Sequence, residues 1–153
     1  MQETLNLKLN RILAALIDGL IILLITWGSM AYPFVELIKG ISNNAVTVGS
    51  INFLIITFFA GMLFSVLYLF IPSLIFKNAT LGMKICHIAF TNYDGKNPSK
   101  TALFYRSSMI IFCFILSLGL VIVSNFVTVL HNEFGRNFHD VFLKMKVVSS
   151  YDL

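Results

Sequence analysis

Three long apolar stretches, at about 12–32, 51–76 and 102–130, are separated by shorter polar segments, and this alternation dominates the chain. The first begins after Lys8 and Arg11 and stops before Pro33, close to the roughly 20 residues a helix needs to cross a hydrocarbon core. The second runs for about 26 residues without a charge, enough to span with tilt, and Pro72 is placed to kink its last turns. The third is long for one crossing and short for two, so it predicts either one continuous helix or a re-entrant hairpin broken near Ser117-Leu-Gly119. Residues 33–50 read as a short outside loop, and 77–101 as the main polar connection. Within that connection, 85–91 has the composition of a strand and Asn92-Tyr-Asp-Gly95 the chemistry of a turn. The pattern predicts an all-α membrane protein of one domain over 1–153, with three main hydrophobic segments and a small polar loop and tail.

Composition sharpens the choice of solvent. Of 153 residues, 58% are hydrophobic and only 12% charged, far from the balance of water-soluble domains, whose small cores could not hide that much apolar surface. A signal peptide shares the basic start and the small-residue exit at Ser29-Met-Ala31. Its apolar region is shorter and lacks an acid such as Asp18, so the first segment is expected to stay as a helix. Cys86 and Cys113 match no metal or redox spacing. The net charge of +4 reports loop orientation and contact with anionic lipid rather than nucleic acid.

With the amino terminus inside, Lys8, Arg11, Lys77, Lys84, Lys96, Lys100 and Arg106 lie inside and Lys39 outside, as the positive-inside rule prefers. The tail with Arg136, Lys144 and Lys146 falls outside if the third segment crosses once, and inside if it turns back. Helical periodicity places Arg106, Cys113, Ser117, Ser124 and Thr128 on one stripe and favours a single helix. Charge asymmetry favours the inside tail.

Asp18 carries the most chemical information. It stands seven residues after Arg11, two turns and about 10 Å deeper on the same face. A mid-helix Asp costs roughly 2.5–3.5 kcal/mol on insertion scales, so it faces either a partner or a wet cavity. The structural alternative pairs Asp18 with Arg11 or Arg106 to lock helices. The functional alternative makes it a proton or cation site whose ionisation changes during transport. Gly61, Ser65, Tyr68 and Pro72 share a face that suits close packing on the first helix, with Tyr68 a polar partner. Arg106 reads as an interfacial anchor or a second cation for Asp18. In the tail, Asp140 reads as a helix cap or the partner of a base, and His139 and His131 fit no zinc motif.

A helix opening Asn10-Arg11-Ile-Leu-Ala-Ala-Leu-Ile-Asp18-Gly19, then Thr80-Leu-Gly-Met-Lys84, Asp94-Gly95, Arg106 and Arg136-Asn-Phe-His139-Asp140, resembles the RDD family of small membrane proteins. The likeness extends from Leu7 to Val148, with departures at Met83 and in the residues after Asp140. It implies that Arg11, Asp18 and Asp140 form one constellation. It also implies that the stretches matching Ile85–Thr91 and Lys144–Val148 pair as strands, which requires an inside tail. The resulting expectation is a multi-pass protein of the cell (inner or plasma) membrane with a cytoplasmic amino terminus, no cofactor and no enzymatic activity. Its expected role is transport of a small ion or solute, such as cation/proton exchange through Asp18 tuned by Arg11, in a homo-oligomer. The alternative is a scaffold or accessory subunit serving a membrane protein partner.

Overall fold

A computed structural model describes residues 2–117, 127–129, 131 and 136–150. Two antiparallel helices form its long axis, α1 (Gln2–Ser42) and α2 (Val48–Ile75). They are followed by α3 (Leu81–Ile85), β1 (Ile88–Asn92), α4 (Lys100–Leu116), α5 (Phe138–Phe142) and β2 (Met145–Ser149). The protein is mostly helical but not all-α, because β1 and β2 pair antiparallel with Ile88 opposite Ser149 and Asn92 opposite Met145. Asn92-Tyr-Asp-Gly95 makes the predicted turn, and Gly95 takes φ +80, which a side chain would oppose.

The expected outside loop at 33–50 is corrected. The helix passes through Pro33 and ends only at Ser42. Pro33 removes one backbone donor, yet the apolar residues around it continue the pairing with α2, where Tyr32 meets Phe53 edge to face with ring centroids 6.3 Å apart. Tertiary contact outweighs the local stop signal. The true connection is short, and α2 starts from a reciprocal cap between Thr47 and Ser50.

Both long helices are apolar enough to cross a membrane, and most of their side chains lie outside the protein's own interior. Leu16, Leu20, Leu24, Ile56, Phe59 and Phe64 all point outward. Helices of a soluble core would bury such residues; here lipid is the medium that satisfies them. The hairpin holds together along a stripe of small residues. Gly61 and Ser65 are buried against α1, Ser65 Oγ lies 3.2 Å from Thr26 Oγ1, and a Cβ at Gly61 would come within 2.8 Å of Ser29 Oγ. The buried face is Gly61, Ser65, Leu69 and Ser73 rather than one ending on Pro72.

The third apolar segment is helical from its start to Leu116, where Ser117 caps α4. Residues 118–126, with Ser124, lie outside the described residues, and the choice between one continuous helix and a hairpin broken near Ser117-Leu-Gly119 falls there. The tail's position is nonetheless fixed relative to the rest, because β2 is hydrogen-bonded to β1. The two strands, α3 and the first turns of α4 enclose a small apolar core of Met83, Ile88, Phe90, Leu103, Met145 and Val147, seated on Ala14 of α1. This cap stands at one end of the helical hairpin, and Lys39 stands near the other.

Candidate functional site

Where the cap meets α1, two buried acids, Asp140 and Asp18, gather donors from several elements. Asp140 is fully buried in α5, as the third residue after Asn137, so its Oδ2 accepts from the Asn137 backbone N–H at 3.2 Å and closes the first turn. The same carboxylate takes two guanidinium groups. Arg11 donates to Oδ2 through Nη2, and Arg106 donates to Oδ1 through Nε at 2.9 Å. Arg106 also lies over the Phe90 ring, 3.7 Å from its centroid, so β1 holds it from below. One residue of the tail thus joins α1, α4 and α5.

Asp18 is engaged differently. It accepts from Tyr68 Oη of α2 at 2.9 Å, from the Gly82 N–H of α3 at 2.9 Å and from Thr80 Oγ1, and all three donors are neutral. Thr80 caps α3 by accepting from the Met83 N–H. Asp18 therefore does not pair with Arg11 or Arg106: both arginines go to Asp140. Tyr68 does find its polar partner, and Asp140 is both cap and ion-pair acceptor. Sequence reasoning singled out neither Thr80 nor Gly82 as partners. The available signal was a Thr followed two residues later by Gly in a short polar stretch, opposite a buried acid.

Gly82 sits where α3 crosses α1. A Cβ there would lie 2.4 Å from the Ala14 carbonyl oxygen and 3.0 Å from the Asp18 carboxyl. Ala14, midway between Arg11 and Asp18, is itself almost fully buried. The Ala14/Gly82 contact lies along α1 between Arg11, which serves Asp140, and Asp18.

His139 points inward beside Asp140, with Nε2 3.6 Å from Oδ1, beyond hydrogen-bond range. Burial pushes its pKa well below the usual 6.5, and the charges of Arg106 and Arg11 push it further. Folded His139 is therefore neutral, whereas the unfolded imidazole takes a proton below about pH 6.5. Stability is complete above that pH and falls on acidification, by at most about 1.4 kcal/mol per pH unit from this group. Chemical denaturation between pH 7.5 and 5.5 should show that slope in the native protein and a flatter one in His139→Gln. Equal slopes would mean that His139 does not titrate on unfolding.

Cys86 and Cys113 are free thiols, and burial raises the pKa of Cys86. Among the described residues, no three His, Cys, Asp or Glu side chains come together as a metal site. Farther out, Arg136 lies over the Tyr93 ring and donates to its hydroxyl.

Compared with known proteins, the chain matches the sequence model described as the RDD family over residues 8–144. That match includes Arg11, Asp18, Arg106 and Asp140. No curated protein and no solved structure matches.

Proposed function

The chain belongs to the RDD family, and we propose that it is a non-enzymatic membrane scaffold or accessory module. In this reading its buried acids lock helices together while its polar cap is presented to a partner. One observation carries it: the carboxylates of both buried acids are occupied by donors from other segments of the chain. An acid that exchanges ions needs an oxygen it can offer. Here each oxygen already ties α1 or α5 to a neighbour.

Orientation follows from charge. With the tail paired to β1, ten of the eleven Lys and Arg residues belong to the cap end, and Lys39 alone to the other. By the positive-inside rule this asymmetry supports a cytoplasmic cap and amino terminus.

Small-ion transport is the second reading, and a specific feature keeps it. The donors to Asp18 are neutral, so no base in contact compensates its charge. Tyr68 also reaches a lateral cleft of about 560 Å³ beside Ile25, Phe64, Leu67, Ile71 and Pro72. The cleft's apolar walls suit lipid better than a hydrated ion, and enclosing a pathway would require a homo-oligomer. Arg11 would not act as the tuner, since it serves Asp140.

Asp18→Asn separates the readings. As a lock, it should weaken folding by about 1–3 kcal/mol, because the new amide group points a donor at the Thr80 hydroxyl. Proteoliposomes of native and variant protein should then hold a pH gradient equally well on addition of Na⁺, Li⁺ or K⁺. Cation-dependent dissipation by native protein, lost in folded Asp18→Asn, would overturn the scaffold reading in favour of exchange.

A further inference from the structure

Helix α5 is two-faced within five residues. His139 and Asp140 are 5% and 0% exposed, whereas Phe138, Val141 and Phe142 are 67%, 46% and 67% exposed on the opposite side. The apolar three have i, i+3, i+4 spacing and form one patch. Lys144 follows two residues after the helix, and its backbone carbonyl accepts from the Tyr93 N–H. Beside it opens a cleft of about 460 Å³ between Tyr93, Ser99, Leu143 and Lys144, with exposed Lys100 next to Ser99 at the start of α4. Asp94 is on the rim, with Lys96 3.9 Å away.

We propose that Phe138, Val141 and Phe142 form an interfacial anchor that inserts into the anionic phospholipid surface on the cap side, with Lys100 and Lys144 meeting headgroup phosphates. Aromatic side chains flanked by lysines suit the headgroup boundary, where the rings leave water and the ammonium groups reach phosphate. The depth agrees. Asp140 fixes α5 at the level of Arg11, and from Arg11 to Tyr32 helix α1 climbs roughly 31 Å, close to the hydrocarbon thickness of about 30 Å. Exposed Trp27 and Tyr32 then approach the opposite interface, where such residues collect. The anchor thereby sets how deeply the long hairpin sits, which the length of α1 alone leaves open.

The test places tryptophan at the patch. In a Trp27→Phe background, Phe138→Trp and Phe142→Trp replace largely exposed rings. The variants are reconstituted into vesicles of phosphatidylcholine with or without phosphatidylglycerol. The expected result is strong quenching by lipids brominated near the headgroup end and weak quenching by aqueous acrylamide. Bromolipid quenching should increase with phosphatidylglycerol and decrease in Lys100→Gln/Lys144→Gln. Open access to acrylamide without bromolipid quenching would overturn the proposal and leave the patch to water or a protein partner. Bromolipid quenching unaffected by phosphatidylglycerol or the two lysines would overturn the anionic-headgroup assignment.

Discussion

Asp140→Asn should destabilise the protein by about 3–5 kcal/mol, the usual cost of leaving buried charge without its partner. The carboxylate is fully buried, and two guanidinium groups converge on it. Asparagine keeps the size and one acceptor oxygen, but it offers its amide donors where donors already point. Among the described residues, no other anion then touches the two cations. Unfolding of the purified variant in mixed micelles, compared with native protein, measures the loss, and an effect below about 1 kcal/mol would show that the triad is solvated rather than buried. A companion variant tells charge from shape. Arg11→Met, Arg106→Met and Asp140→Leu together remove every charge in the triad, and the combination should be far more stable than Asp140→Asn, since apolar replacements of buried ion clusters are often neutral or better.

Gly82→Ala is the second large effect, expected at roughly 3 kcal/mol from overpacking and a stranded acceptor combined. The added methyl would meet the Ala14 carbonyl at 2.4 Å, and that atom is helix backbone, which no rotamer change moves aside. Helix α3 has to retreat, and its N–H leaves Asp18. Gly19→Ala supplies the contrast one residue from Asp18. A Cβ there meets nothing within 4 Å, so Ala should be neutral or stabilise the helix by up to about 1 kcal/mol. Thermal unfolding of the pair, read by circular dichroism, checks both; equal behaviour of the two variants would remove the special role of Gly82.

Much of this was legible in the residues, and what failed to show is instructive. Periodicity and hydropathy locate α1 and α2, because outward-facing leucines and phenylalanines need no tertiary knowledge to be recognised as lipid-facing. The presence of Arg11, Asp18 and Asp140 in one region followed from the resemblance. Their pairing did not. Arg11 and Asp18 share a helix face, which invites an ion pair, but the turn between them is filled when Gly82 packs on Ala14. That contact arises 68 positions apart in the chain, and nothing local announces it. Pro33 misled for the opposite reason: its local rule is sound, but contacts with α2 carry the helix past it. The strand pair was likewise invisible to composition for β2, whose Met145-Lys-Val-Val-Ser149 is short and mixed. The pairing was expected from the resemblance alone, and the apolar core beneath it supplies the physical reason.

The ion pair between Arg11 and Asp140 spans 129 positions, which gives biosynthesis an order. At elongation rates of about 5–20 residues per second, the first helix waits on the order of ten seconds before its acid is made. During that interval Arg11, and later Arg106, wait without Asp140. The last lock closes only when the tail has emerged and folded back. A chain cut between Arg106 and Asp140 therefore keeps both guanidinium groups without the carboxylate that joins them, so attachment of the cap to α1 and neutralisation of two buried cations depend on the same residue.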